Sequence, residues 1–230
     1  MQGLGHRTAA PASALNALTP NSLLAHRAAK PLLFLAALLP FAWLLYGAIA
    51  NTLGANPAEA LIRSTGDWTL RFLCLTLAVT PLRLWTRWHA LARLRRMLGL
   101  YAFFYGVLHF LCFAWLDMGF ELEAIVRDIA KRPFILVGTA ALLLMLPLAA
   151  TSFNRAIKML GAKRWQALHR AVYATALLAI VHFYWMRAGK NDFVEVAIYA
   201  GVLAVLLGWR LWRSLGARHG TNPGKQGASG

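Results

Sequence analysis

The sequence is poor in negative charge and in cysteine. Only 8 of its 230 residues are Asp or Glu, against 24 Lys and Arg, and its two thiols are Cys74 and Cys112. Both cysteines lie inside apolar runs, which excludes a disulfide framework and a cysteine zinc site. Charged residues make up only 14% of the chain and apolar residues 59%, a composition unlike that of a soluble domain. A membrane is therefore the expected solvent.

Long apolar runs occupy most of the chain. Six of them approach the roughly 20 residues that a helix needs to cross roughly 30 Å of hydrocarbon. Backbone polar groups in lipid must bond within their own segment, so each run predicts a helix. Residues 1–22, rich in Ala and Pro, and residues 214–230 are expected to be disordered tails. The predicted spans are 31–50, 68–86, 97–116, 133–152, 168–186 and 193–213.

Basic residues are distributed unevenly between the two ends of these spans. With the N-terminus placed in the cytoplasm, 17 of the 24 Lys and Arg fall on the cytoplasmic side, and all eight acidic residues fall on the other. Basic loops favour the cytoplasm. The sequence therefore predicts an all-α bundle of six transmembrane helices with both termini cytoplasmic. This arrangement accounts for the positive charge without a nucleic acid partner.

Three of the seven histidines lie within predicted spans, where an ionisable side chain is costly and indicates function. His109 lies 13 residues after Arg96 in the third span, and His182 lies 13 residues after His169 in the fifth. Both spans run outward, so His109 and His182 share one depth, roughly 20 Å from His169. A six-coordinate haem requires two neutral imidazoles from facing helices at one level. We expect His109 and His182 to be its axial ligands, the alternative being histidines that only bond neighbouring carbonyls.

Small and aromatic residues accompany these histidines. Gly99 and Gly106 would permit the close approach of a flat macrocycle, and helix packing alone is the other interpretation of both. The same two interpretations apply to four aromatic residues that would pack around the macrocycle, namely Tyr101, Tyr105, Tyr173 and Phe183.

The inner end of the third span carries Arg95 and Arg96 at the depth of His169, where a partner histidine would stand. An inner haem would need another ligand, such as Met97 or water, or the site would hold an anionic group instead. The two arginines would pair with haem propionates, a flavin phosphate or lipid headgroups. Arg71, a turn inside the outer end of the second span, is expected to contact a propionate of the outer haem.

Four stretches carry a family resemblance: GDWTLRFLCLTLAVTPLR (66–83), RRMLGLYAFFYGVLHF (95–110), KRPFILVGTAALLLMLPLAATS (131–152) and LGAKRWQALHRAVYATALLAIVHFYW (160–185). They resemble the ferric-reductase-like transmembrane family. Within it they are most similar to the MsrQ (YedZ) branch, the haem-binding membrane subunit of the bacterial protein-methionine-sulfoxide reductase system. The resemblance covers about residues 30–213 and predicts one haem-binding transmembrane domain over 23–213.

The resemblance implies an inner-membrane protein with one or two b-type haems that takes electrons from the quinone pool, with FMN also associated with the family. It implies a periplasmic molybdopterin subunit, MsrP, as acceptor, which reduces methionine sulfoxide in oxidised envelope proteins. The family's histidines map onto His109, His169 and His182, as ligands of haem iron. The wider ferric-reductase and NADPH-oxidase group has a fourth histidine where this chain has Arg95 or Arg96.

The peptide itself shows no nucleophile, acid–base dyad or phosphate loop, so we expect it to supply ligands and insulation for its cofactors. About 17 residues follow the last span, which predicts a separate donor such as quinol or a flavin reductase. The outer loop Asp117–Arg132, with Glu121, Glu123 and Asp128, either contacts the periplasmic partner or is merely solvated. Three alternatives remain: a free-standing ferric reductase, a histidine-based proton or metal transporter, and a non-catalytic scaffold.

Overall fold

The computed structural model describes residues 19–189 and 191–219, and every regular element within them is helical. Pro20, Pro57 and Pro133 lie in the first turns of their helices, where a missing amide donor costs nothing. The helices are α1 (Pro20–Ala25), α2 (Ala29–Ile49), α3 (Pro57–Thr86), α4 (Arg95–Cys112), α5 (Leu122–Lys131), α6 (Pro133–Ala150), α7 (Asn154–His169), α8 (Ala171–Ala188) and α9 (Val194–His219).

In the part of the chain that the structure describes, five helical segments are long and apolar enough to cross a membrane by length and composition. They correspond to five of the six predicted spans. The remaining predicted span, 68–86, forms the second part of α3, which does not reach that standard. This helix lies against its neighbours, and the Thr65, Thr69 and Thr76 hydroxyls donate to its own carbonyls. Because those polar groups are satisfied within the bundle, α3 needs less apolar surface than a lipid-exposed helix. The five segments are Ala29–Ile49, Arg95–Asp117, Pro133–Ala150, Asn154–Ala188 and Val194–Gly216.

Two helix pairs form the centre of the bundle: α3 packs mainly against α4, and α6 against α8. The largest fully buried side chains at this centre are Tyr105, Leu73 and Thr175. Large apolar residues such as Leu39 and Leu143 are instead exposed on the outside, as lipid-facing positions require. The core is therefore built by four helices, and α2 and α9 pack at its periphery.

Several predicted boundaries are corrected. The fifth span was expected to start at 168, but the chain turns at Arg170, so His169 ends α7 and α8 begins afterwards. The predicted tail 1–22 overlaps α1, whose Asn21 side chain accepts the Ala90 amide at 3.1 Å. The predicted tail 214–230 overlaps the end of α9, which continues to His219. The rest of both predicted tails lies outside the described residues.

Tyr105 connects α4 to α2. Its hydroxyl donates to the Ala37 carbonyl at 2.8 Å and accepts from the Phe41 amide at 3.1 Å. In a regular helix those two backbone groups would bond each other. Tyr101 donates to the Phe34 carbonyl, also at 2.8 Å. Both tyrosines therefore satisfy backbone groups of α2 across the helix interface.

Tyr105→Phe is expected to lower the free energy of unfolding by about 1–3 kcal/mol, because a buried donor and acceptor lose their partner. Thermal unfolding of the purified protein in detergent would measure the loss. Tyr46→Phe is the matched control, since Tyr46 lies on α2 with 61% of its surface exposed. Equal melting temperatures for the two variants would show that the hydroxyl bridge contributes nothing.

Candidate cofactor sites

An outer cavity of about 580 Å³ lies between α3, α4, α6 and α8. Its volume is within the roughly 300–1,000 Å³ that ligand pockets occupy. Most of its wall is apolar, including Leu70 and Phe183, and the polar side chains that converge on it include His109 and His182. A largely apolar cavity with a few converging polar groups is the usual form of a cofactor site.

The two imidazoles of this cavity face each other from different helices. Their ring centroids are 6.0 Å apart and their planes are inclined by 75°. The Nδ1 atom of His109 lies 2.8 Å from the Ile62 carbonyl oxygen, and that of His182 lies 2.6 Å from the Phe134 carbonyl oxygen. Because a carbonyl only accepts, these bonds place the proton on Nδ1 and leave a lone pair on Nε2. No described residue bonds either Nε2 atom.

This spacing suits one metal between two imidazoles. With metal–nitrogen bonds of about 2 Å on opposite faces, the two ring centres would lie about 6 Å apart, as the centroids do. Within residues 19–189 and 191–219, no group of three or more His, Cys, Asp or Glu side chains could hold a metal ion. Two imidazoles alone fit a metal that brings its own equatorial ligands, as haem iron does.

The cations that line the outer cavity are Arg63 and Arg132. Arg63 pairs with Glu59 at 2.5 Å, and Arg132 pairs with Asp128 at 2.9 Å. Neither arginine was predicted as a site residue. Arg63 precedes the predicted second span, which begins at 68, whereas α3 begins at Pro57 and places Arg63 inside the helix. The i,i+4 spacing of Glu59 and Arg63 is the signal that would have extended this helix.

Arg71, predicted to contact a haem propionate, is not among the residues that line the outer cavity. Its Nε donates to the Tyr199 hydroxyl at 3.0 Å, and its guanidinium lies 4.7 Å from the centroid of the Trp68 ring. The side chain therefore contacts α9 and an aromatic face of α3.

An inner cavity of about 880 Å³ lies at the other end of the same helices. The eight acidic residues are all described, and none of them lines this cavity. Six guanidinium groups in a wall without carboxylates produce a strongly positive site that suits anionic ligands. The arginines are Arg83, Arg95, Arg96, Arg170, Arg210 and Arg213.

His169 also lines the inner cavity. Its ring stacks on Trp165 with centroids 3.9 Å apart, and its Nδ1 lies 3.1 Å from the Trp165 carbonyl oxygen. Its Nε2 is buried, and no described residue bonds it. A buried nitrogen without a partner requires an explanation, and a bound ligand provides one. Met97, the other ligand considered for this site, is buried in the core and does not line the cavity.

The structure separates the predicted site residues into two groups. His109 and His182 meet in the outer cavity, whereas Arg95, Arg96 and His169 line the inner one. The small and aromatic residues are divided in the same way. Gly106 and Phe183 line the outer cavity, and Gly99 and Tyr173 line the inner one. Tyr101 and Tyr105 line neither cavity, because their hydroxyls bond α2.

The two cavities adjoin each other. Leu73 and Met145 line both of them, and these side chains are 2% and 7% exposed. The helices α4 and α8 both start at the inner cavity and reach the outer one, so they run in the same direction, as the sequence predicts. The fold thus defines a multi-pass helical membrane protein that encloses two adjacent cavities.

Comparison with known proteins assigns the family. Residues 65–180 match the ferric reductase like transmembrane component family. A protein of Polaromonas naphthalenivorans named protein-methionine-sulfoxide reductase heme-binding subunit MsrQ is 67% identical over 189 residues, covering 82% of this chain and 86% of its own length. A protein of the same name from Ralstonia nicotianae is 55% identical, covering 90% and 94%. The chain belongs to the ferric-reductase-like transmembrane family and to its MsrQ branch. No solved structure matches it.

Proposed function

We propose that this chain is the haem-binding membrane subunit of a bacterial protein-methionine-sulfoxide reductase system. It would carry electrons from the quinone pool to a periplasmic molybdopterin subunit of the MsrP type, which repairs oxidised envelope proteins. The observation that carries this proposal is the pair of imidazoles 6.0 Å apart, each with its Nε2 unbonded by described residues. The names of the relatives from Polaromonas and Ralstonia provide independent support.

His109 and His182 would hold a b-type haem in the outer cavity, and that haem would supply a one-electron iron couple. The two backbone carbonyls would accept the Nδ1–H protons and so orient the imidazoles. The apolar wall excludes water, which limits side reactions of a reduced centre. Arg63 and Arg132 are the cations that line this cavity, and each would have to exchange or share its carboxylate partner to bind a propionate.

The inner cavity would be the donor side. This cavity has six arginines and the unpaired Nε2 of His169, which favour an anionic cofactor such as FMN or a second haem. That cofactor would accept electrons from quinol or a flavin reductase. Leu73 and Met145, common to both walls, would lie between the two sites. Such adjacency suits an electron relay across hydrocarbon that excludes charge.

The proposed orientation places six spans in the bacterial inner membrane with both termini in the cytoplasm. The inner cavity then faces the cytoplasm, because its arginines belong to the basic side of the chain. The outer cavity would face the periplasm. There the segment between α4 and α6, which the sequence predicts as a loop and which contains α5, would contact the catalytic subunit through Glu121, Glu123 and Asp128.

The test begins with the full chain purified in detergent. A pyridine haemochrome assay normalised to protein is expected to give one or two b-type haems per chain, with an absorption spectrum that changes on reduction. In liposomes with reduced haem, adding methionine sulfoxide should reoxidise the haem only when the MsrP-type subunit is present. A colourless protein would refute the haem assignment. Full reduction of ferric iron without any effect of the partner would identify a free-standing ferric reductase.

A further inference from the structure

The two imidazoles of the outer cavity are held by the same arrangement on two different helix pairs. Gly66 lies four residues after Ile62 on α3, and Gly138 lies four residues after Phe134 on α6. In each pair, the carbonyl of the first residue accepts the histidine Nδ1–H, and the glycine lies directly against the imidazole ring. None of these four residues was singled out by its position in the sequence.

Each glycine leaves room that a side chain would fill. A Cβ at position 66 would lie 3.1 Å from Nδ1 of His109, and one at position 138 would lie 2.7 Å from Nδ1 of His182. Side chains on a helix lean toward its N-terminus and cover the preceding turn. A helix carbonyl that accepts its own helix's amide still has a second lone pair. A donor from a neighbouring helix can reach that lone pair only where the side chain four residues later is absent.

We propose that Gly66 and Gly138 are positioning residues for the iron ligands. Each opens a helix carbonyl to a histidine, and the resulting bond fixes the Nδ1–H tautomer and directs Nε2 into the cavity. This inference rests on the proposed role of His109 and His182 as axial ligands. A carbonyl that accepts the Nδ1–H of a ligating imidazole also raises the basicity of Nε2. A more basic ligand stabilises ferric relative to ferrous iron.

The two positions differ in how much a methyl group disturbs. At position 138 the added carbon is closer than real contacts allow, so the His182 ring must move. At position 66 the contact is tight but above that limit, and the Ile62 carbonyl also accepts the Thr65 hydroxyl at 3.0 Å. Gly138→Ala should therefore have the larger effect and Gly66→Ala a smaller effect of the same sign.

The experiment compares four single variants of the full chain with the unmodified protein. Gly201→Ala and Gly208→Ala are the matched controls, because both glycines lie in α9 with open space around the added Cβ. The measurements are haem per protein, the proportion of low-spin ferric haem by paramagnetic resonance, and the midpoint potential by redox titration. We expect Gly138→Ala to lose more than half of the low-spin signal of the outer haem and to raise the potential of what remains, with both controls unchanged.

Two outcomes separate this inference from the function on which it rests. If His182→Ala removes the outer haem but Gly138→Ala and Gly66→Ala keep the unmodified signal and potential, the positioning role is refuted and the ligand assignment stands. If His182→Ala itself retains the outer haem, the ligand assignment is refuted. Should Gly138→Ala fail to accumulate, Gly66→Ala decides the question, because its added carbon lies 3.1 Å rather than 2.7 Å from the imidazole. The potential of the Gly66→Ala variant must then rise.

Discussion

His109→Ala and His182→Ala are each expected to abolish the outer haem while leaving membrane insertion largely unchanged. Each substitution removes one of the two imidazoles that lie 6.0 Å apart, and no other described histidine lines the outer cavity. Loss of an outer-shell partner alone lowers metal affinity by about 10–100-fold, so removal of a ligand should cost more. In either variant, the haem content per chain is expected to fall by one, the haem of the outer cavity.

The bundle should survive these changes. Alanine favours a helix more than histidine does, and the Ile62 and Phe134 carbonyls lie inside helices that can bond them to their own amides. Haemochrome content per protein and membrane yield are the two measurements. His89→Ala is the control, since His89 is exposed outside both cavities. Purified His109 or His182 variants with normal haem content would refute the ligand assignment.

His169→Ala is expected to slow reduction of the outer haem by a short-chain quinol or by reduced FMN at least about tenfold. This is the lower end of the loss of activity that follows when a residue supporting a metal site is replaced. The reason is that His169 lines the inner cavity and its buried Nε2 has no hydrogen-bond partner among the described residues. Without this nitrogen, the proposed cofactor of the inner cavity loses a contact that would hold it.

Dithionite provides the comparison for this second variant. Because it reduces the outer haem directly, the amount reducible by dithionite should match that of the unmodified outer haem, and only the rate with the physiological class of donor should fall. His26→Ala is the control, since His26 lies between α1 and α2 and lines neither cavity. Unchanged rates with quinol and with reduced FMN would show that His169 has no role in electron entry.

The depth of each site residue in the membrane is predictable from its position along its helix. The level of a residue in a membrane follows from counting along its helix, since each residue advances by about 1.5 Å. Counting from Arg96 to His109 and from His169 to His182 therefore placed two imidazoles at one level, and the structure brings them together. The same counting placed Arg95, Arg96 and His169 at the other end, where they line one cavity.

Rotation about the helix axis is not predictable in this way. Arg71 lies at about the expected depth, yet its side chain contacts Tyr199 and Trp68, while Arg63 faces the cavity. Tyr101 and Tyr105 lie on the helix that carries His109, but their hydroxyls bond α2. Which face meets which neighbour depends on how helices pack in three dimensions.

The amino-acid sequence by itself determined the membrane class, five of the spans and the two levels at which ionisable residues gather, because hydrophobic length and helical rise are properties of a single segment. Only the tertiary structure decided which carbonyls bond the imidazoles and how little room a side chain would have at positions 66 and 138. Those contacts join residues 47 and 48 positions apart in the chain. They exist only once two helices are packed at a particular rotation and distance.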